Sequence, residues 1–339
     1  MTKVKKNELY ELGKIIATVL VVFAHAAAMY TEDGAYRAIV SSPFVAGVHK
    51  LIYAFHMPFF MFLSGCIYGY CIEHGKYRDT FRYIRGKAQK LLIPYIFFGA
   101  AYVAPAMVLL GLTDQTYWEY LVDGIFMALN ARHLWYILAL FWIYFLMIPV
   151  RKIRLDGIAK WVTILAISGV LFVYSRILHY RLDYRHFQIS NALFYQLFFS
   201  FGMIFNELYA YFERIPNGLK MCLFAASILL LLTELLPGAN VILGLLSKFA
   251  GILLMVTLLW FILGRVRRGR TVVHKIIGKN AFGIYLFHPI IIYVLYSRLY
   301  ALEIMPVVLV TAVTVVSGAL SVLATIAMRK LRLNVLIGE

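Results

Sequence analysis

The sequence predicts an all-α integral membrane protein, a bundle of about ten transmembrane helices with both termini in the cytoplasm. Three observations predict this class. Hydrophobic residues make up 63% of the 339 residues and charged residues only 14%, whereas a soluble chain is nearer half apolar and a quarter charged. Ten apolar runs have roughly 17 or more residues, the length that crosses a bilayer. The basic residues concentrate in alternate gaps between these runs.

The ten runs are bounded by charged residues, proline or glycine. Their predicted ranges are 9–30, 45–70, 91–111, 133–150, 160–178, 190–212, 219–236, 240–264, 276–298 and 305–328. The seventh and eighth runs are joined only by 237–240, with the sequence Pro-Gly-Ala-Asn, which predicts a tight turn. The apolar segment 117–130 is short and carries Glu119 and Asp123. We predict that it is an interfacial or re-entrant piece.

The distribution of basic residues predicts the orientation. If the N-terminus is cytoplasmic, the cytoplasmic segments hold 24 of the 33 Lys and Arg residues and the outer segments hold eight. The remaining residue, Lys14, lies within the first helix. This excess follows the positive-inside rule. We therefore expect a multi-pass protein of the cell (plasma) membrane. The gaps are too short for a soluble domain, so residues 1–339 are predicted to form a single transmembrane domain with no soluble extracytoplasmic domain.

Composition and motifs exclude several function classes. The net charge of +17 does not indicate nucleic-acid binding, because the basic residues lie between apolar runs and not on a polar domain. Cys66, Cys71 and Cys222 are scattered in or beside apolar runs and predict neither a disulfide framework nor a metal site. The chain contains no Gly-rich nucleotide loop and no His/Cys metal pattern. We expect no permanently bound cofactor and no metal.

Polar residues inside a membrane helix are costly and therefore mark functional candidates. In the first helix, Lys14 and His25 are eleven residues apart, which places them on one face and roughly 16 Å apart along the axis. Glu11 lies on the same face and is positioned to pair with Lys14. Two structural alternatives stay open: a snorkelling lysine near the helix end, and a packing histidine bonded to a backbone carbonyl.

Other polar candidates lie in later helices. His56 is near mid-depth in the second run, where Pro58 frees a backbone carbonyl and Ser64-Gly65 allows a close helix approach. Simple kink and packing chemistry stays open as an alternative for this segment. His133 and Trp135 open the fourth run, where Trp also suits an interface anchor. Tyr285 and His288 lie in the ninth run, and His288 is again near mid-depth. If the chain performs chemistry, we expect acid–base work by histidine.

Five segments in chain order resemble motifs of one family. They are Glu11-Leu12-Gly13-Lys14 with His25, the Phe55–Gly65 segment, Arg85 with Leu91-Leu92-Ile93-Pro94-Tyr95, His133-Leu134-Trp135-Tyr136, and Gly278 with Tyr285-Leu286-Phe287-His288. Together they resemble the acyltransferase 3 family of membrane acyltransferases over essentially the whole chain. The usual arginine and aspartate of the first motif are Lys14 and Glu11 here. Lysine keeps the charge but cannot make the planar bidentate contact of arginine.

The resemblance implies transfer of an acyl group, usually acetyl from acetyl-CoA, to a hydroxyl of a cell-surface carbohydrate. The expected partners are acyl-CoA as co-substrate, a carbohydrate or glycolipid acceptor, membrane lipid and proteins of glycan biosynthesis. In the mechanism that we expect, His25 is the general base and Lys14, with Glu11, lies beside the donor path. The phosphates of acyl-CoA are expected on a basic cluster formed by Arg78, Arg82, Arg85, Lys87 and Lys90, or on Arg265, Arg267, Arg268 and Arg270. The alternative is that these residues only determine topology.

A second function class stays open from the sequence. Ten helices with buried histidines also suit a transporter or exporter of a polysaccharide or glycan intermediate. Within the enzyme hypothesis, acetyl and succinyl donors stay open, as do direct transfer and a covalent acyl-histidine relay. His56, Ser64, His133, Trp135, Tyr285 and His288 are expected to support the site or to bind substrate.

Overall fold

The computed structural model describes residues 4–32, 34–153, 155–238, 240–265 and 274–339. These residues form helices joined by short turns, and the described part of the chain contains no strand. We label the ten long helices in chain order: α1 (Lys6–Ala27), α2 (Pro43–Glu73), α3 (Thr80–Phe98), α4 (Trp135–Val150), α5 (Gly157–Tyr180), α6 (Ile189–Arg214), α7 (Asn217–Leu232), α8 (Val241–Arg265), α9 (Lys279–Leu299) and α10 (Pro306–Lys330).

The predicted all-α membrane class is confirmed. Within the described residues, nine helices are long and apolar enough to cross a membrane. The remaining long helix, α6, has 26 residues but is not among these nine, because Asn191, Gln196 and Asn206 interrupt its apolar sequence. The ten predicted runs each correspond to one long helix. The inside–outside orientation stays a prediction.

α3 begins before the predicted span, which starts at residue 91. Asp79 caps the helix, because its carboxylate accepts the Arg82 N–H at 2.8 Å. A π turn at Gly99–Val103 and the helix Ala104–Leu109 continue the same span. Four of the predicted phosphate-binding residues therefore lie on the first turns of a helix and not in a loop. Hydropathy detects only the apolar part of a helix, whereas capping and backbone hydrogen bonds extend it into charged sequence.

The segment predicted to be interfacial or re-entrant forms two short helical pieces. Thr116 and Glu119 make a reciprocal capping box at the start of Tyr117–Glu119, and a π turn follows. The Tyr95 hydroxyl of α3 donates to the Ile125 carbonyl at 2.6 Å. The segment is therefore held against α3 by a buried hydrogen bond.

The chain divides into two compact units. The first unit contains the chain up to Leu63 together with Glu207–Thr325, and the second contains Ser64–Asn206 and Ile326–Glu339. The unit boundaries fall inside α2, α6 and α10.

In the first unit, α1 packs against α8 and α9, while α7 and α8 form a hairpin. The hairpin turn contains Gly238 at φ +77°, a conformation that favours glycine, as the predicted tight turn requires. The Tyr296 hydroxyl of α9 donates to the Ala26 carbonyl at the end of α1, at 2.5 Å. This bond sets α1 and α9 side by side next to His25.

In the second unit, α2 approaches α6 closely. A Cβ at Gly65 would clash with the Phe199 carbonyl, and one at Gly69 would lie 3.1 Å from the Met203 carbonyl oxygen. The close helix approach predicted for Ser64-Gly65 is therefore confirmed. α3 packs against α4 and against the C-terminal turn Asn334–Ile337.

Candidate active site

Two predicted histidines form a direct pair in the first unit. The Nδ1 atom of His25 on α1 lies 2.7 Å from the Nε2 atom of His288 on α9, and the two rings stack with centroids 4.9 Å apart. His288 is fully buried, whereas His25 keeps partial exposure. The pair joins residues that are 263 positions apart in the chain.

The hydrogen bonds of the pair define its tautomers. His288 Nδ1 lies 2.7 Å from the Ile284 carbonyl oxygen, and a carbonyl only accepts, so Nδ1 of His288 carries the proton. A neutral His288 then presents a lone pair at Nε2, and His25 Nδ1 donates its N–H to it. The remaining ring nitrogen of His25, Nε2, is left with a free lone pair. This is the state that a general base requires.

Two more histidines lie near this pair, both on α2. The His56 Nδ1–H donates to the Ile52 carbonyl at 3.0 Å, and His56 lies within electrostatic range of His25. His49 interacts with the charges of both His25 and His56. The Tyr53 ring lies between them, with its centroid 4.9 Å from that of each α2 histidine.

His49 was missed by sequence reasoning. It is seven residues before His56, so two helical turns place both on one face of α2, and that spacing is the signal that identifies it. Although four histidines gather here, the described part of the chain has no group of three or more His, Cys, Asp or Glu residues that could hold a metal ion.

Lys14 and Glu11 occupy the other end of the same α1 face. Lys14 is half-buried and Glu11 is exposed, and the two charges attract one another. The Thr18 hydroxyl one turn later donates to the Lys14 carbonyl at 2.8 Å. The structure therefore places Lys14 near Glu11 in the first half of α1. Lys14 lies about three helical turns from His25.

Tyr285 lies beside the histidine pair. Its ring centroid is 6.5 Å from that of His288 and 6.0 Å from that of Phe282, and it is buried. Tyr285 is on α9, three residues before His288, and its ring borders the histidine pair.

The other predicted supporting residues belong to the second unit. The Ser64 hydroxyl lies 3.0 Å from the hydroxyl of Tyr136, so one donates to the other. Trp135 packs on Tyr195, with ring centroids 5.1 Å apart, and His133 is buried. Tyr136 is thus a polar partner of Ser64, which sequence spacing alone did not indicate.

The predicted phosphate-binding cluster separates into two kinds of residue. Arg78, Arg82, Arg85 and Lys90 are exposed near the start of α3. Lys87 is different, because its ammonium lies 3.6 Å from the Tyr144 ring centroid and donates to the Tyr77 hydroxyl at 3.3 Å. Burial raises the pKa of Tyr77 to about 12, against the opposing effect of Lys87, so the phenol stays neutral at working pH. Lys87 is therefore engaged by a tyrosine cage.

The second predicted basic group is described only in part. Arg265 ends α8 and is exposed. Arg267, Arg268 and Arg270 lie outside the described residues.

Comparison with known proteins places the chain in a family. The model of one family, described as an acyltransferase domain, matches residues 8–326, which is nearly the whole chain and includes the histidine pair and both ends of the α1 face. Comparison with curated proteins and with solved structures returned no significant match. The chain belongs to the acyltransferase 3 family of membrane acyltransferases.

Proposed function

We propose that this protein transfers an acetyl group from cytoplasmic acetyl-CoA to a hydroxyl of a cell-surface carbohydrate in the plasma membrane. The observation that carries the proposal is the hydrogen-bonded chain from His25 through His288 to the Ile284 carbonyl. These hydrogen bonds leave one lone pair on the His25 ring, at Nε2, and that ring is partly exposed. Family membership supports acyl transfer as the reaction class.

In the proposed reaction, His25 Nε2 takes the proton of the acceptor hydroxyl while the oxygen attacks the thioester carbonyl. The new C–O bond forms and the C–S bond breaks. The proton then passes from His25 to the departing sulfur, so the products are an ester and free CoA. A positioned base of this kind contributes about 10²–10⁴-fold to the rate.

His288 acts as a positioning residue in this scheme. Its Nε2 accepts from His25 Nδ1–H and so keeps the lone pair of His25 on the opposite nitrogen. When His25 takes up a proton, the same hydrogen bond becomes charge-assisted and therefore stronger. His288 thus stabilises the protonated state that exists only during the reaction, which is the condition for catalysis.

The donor is proposed to approach from the predicted cytoplasmic side. Its phosphates suit the exposed cluster Arg78, Arg82, Arg85 and Lys90, because guanidinium and ammonium groups bind phosphate oxygens by charge-assisted hydrogen bonds. Lys14 supplies a half-buried positive charge on the α1 face that leads to His25. Lys87 is not part of this proposal, because tyrosines already hold its ammonium.

Substitution of His25 tests the proposed function. Purified protein in lipid vesicles is supplied with labelled acetyl-CoA, and acetyl transfer and thioester cleavage are measured. We expect His25→Ala and His25→Gln to abolish both, since glutamine keeps polarity but cannot take up the proton. His74→Gln is the matched control, because His74 is exposed just after the end of α2 and bonds the Tyr70 carbonyl in the last turn of that helix.

Two results would change the assignment. Full transfer by His25→Ala would remove the general-base mechanism. A stable acetyl adduct on His25, detected by peptide mass spectrometry, would replace direct transfer by a covalent relay through the same lone pair.

A further inference from the structure

An apolar groove lies next to the histidine pair in the first unit. It has a volume of about 280 Å³ and is lined by α1, by the start of α9 with the turn before it, and by α10. On α1 the lining is formed by Thr18, Val19 and Val22, on the flank next to the face that carries Lys14 and His25. On α9 it includes Ile284, whose carbonyl is the anchor of His288.

The lining of the groove comes within about one helical turn of each histidine along its helix. Val22 is three residues before His25, and Ile284 is four residues before His288, distances of roughly 4.5 and 6 Å along their helices. The groove therefore lies next to the proposed site on two helices at once. In the predicted orientation it lies below the histidine pair, toward the middle of the membrane.

Among the described residues, the lining side chains offer no free hydrogen-bond donor. Its two hydroxyls are already used within their helices, since Thr18 donates to the Lys14 carbonyl at 2.8 Å and Thr314 donates to the Val310 carbonyl at 2.7 Å. The other lining side chains are aliphatic or absent. The pantetheine arm of CoA carries two amides, and burying an amide without a hydrogen bond is costly. The chemistry of the groove therefore fits a hydrocarbon chain.

The groove also opens sideways. Val19 and Val315 at its edges are 43% and 64% exposed, on helices that are long and apolar enough to cross a membrane. A hydrocarbon chain can thus enter from the bilayer while its polar head stays at the level of His25. The ligand that fits this geometry is an amphiphile. Its hydroxyl-bearing head lies in the outer half of the membrane and its hydrocarbon tail extends toward the middle of the membrane.

We propose that the groove binds the hydrocarbon tail of a lipid-linked acceptor and thereby places the head-group hydroxyl at His25. The inference rests on the proposed function and narrows its substrate class to amphiphilic acceptors. The tail enters the groove from lipid and not from water, so little free energy comes from the hydrophobic effect. The groove therefore contributes mainly packing contacts with the tail and orientation of the head group.

Gly318 permits a clean test. It lines the groove, and a Cβ at this position meets nothing within 4 Å, so Gly318→Leu fills the groove without a backbone clash. Gly169 on α5 is the matched control, because its Cβ also meets nothing and it does not line the groove.

The probe is an alkyl glucoside with a photoreactive diazirine in its chain, added to purified protein in phosphatidylglycerol vesicles. We expect labelling of peptides around Val19–Val22 and Val315–Ala319, suppressed by excess dodecyl glucoside. Gly318→Leu should reduce this labelling about tenfold, equivalent to about 1.4 kcal/mol, while Gly169→Leu leaves it unchanged. This readout does not require acyl transfer, so its failure is separate from a failure of the His25 test.

Labelling spread evenly over all lipid-facing helices would overturn the proposal, since it would show only ordinary lipid contact. A Gly318→Leu variant that keeps full groove labelling would also overturn it. A third contrary result would be a changed preference between acetyl-CoA and octanoyl-CoA in Gly318→Leu, because the groove would then hold the acyl chain of the donor.

Discussion

The hydrogen bond between His25 and His288 leads to a quantitative prediction about His288. Replacement by leucine removes the acceptor at 2.7 Å from His25 Nδ1 while keeping a buried apolar side chain. In the resting state the lost bond joins neutral groups and contributes about 0.5–1.5 kcal/mol, whereas with a protonated His25 it contributes about 1.5–3 kcal/mol. Only the difference between the two states affects the rate of the chemical step.

That difference is about 1–1.5 kcal/mol, or roughly tenfold in rate. Loss of the fixed tautomer lowers the rate further, because part of the His25 population then carries its proton on Nε2. We therefore expect His288→Leu to reduce kcat by about 10–100-fold. KM for acetyl-CoA should stay unchanged, since His288 is fully buried and binds neither substrate in the proposed scheme.

Glutamine at position 288 distinguishes positioning from packing. The side-chain oxygen of His288→Gln reaches the place of Nε2 and accepts from His25 Nδ1–H, so most of the activity should return. Acetyl transfer in vesicles, normalised to the amount of folded protein by size-exclusion chromatography, measures both variants. Wild-type kcat in His288→Leu would refute the reasoning, and so would equal losses in the leucine and glutamine variants.

Three further predictions concern charge and topology. Lys14→Arg should keep activity while Lys14→Ala should lose most of it, measured as acetyl transfer. Arg82→Glu combined with Arg85→Glu should raise KM for acetyl-CoA about 10–100-fold, because two charge-assisted phosphate contacts become repulsions, and the wild-type KM should rise with salt. A single cysteine at position 76, replacing Lys76 in a cysteine-free background, should react with an impermeant maleimide only from the cytoplasmic side.

Each of these predictions has a matched control or a contrary result. Near-normal activity of Lys14→Ala would leave Lys14 as a snorkelling residue. Lys87→Met should leave KM for acetyl-CoA unchanged but lower thermal stability, because the Lys87 ammonium is held by Tyr77 and Tyr144. An unchanged KM in the Arg82 and Arg85 variant would leave those residues as topology signals. Labelling from outside at position 76 would reverse the predicted orientation.

The sequence alone determined the class of fold and the number of long helices. Each crossing of the hydrocarbon layer needs about 20 apolar residues with all backbone groups bonded within the helix, so the spans are visible as local apolar runs. The same local reading placed Lys14 and His25 on one face of α1, because helical periodicity relates residues eleven positions apart. The motifs that carry the family resemblance are also local.

The tertiary structure decided which residues meet. The pairing of His25 with His288 across 263 positions depends on how α1 packs on α9, which no local pattern encodes. Lys87 belongs by sequence to a basic cluster, yet packing of α3 on α4 turns its ammonium toward Tyr144. The start of α3 likewise depended on the Asp79 cap and not on hydropathy. Hydropathy and periodicity are properties of one helix, whereas a hydrogen bond between helices depends on side-chain geometry in two of them at once.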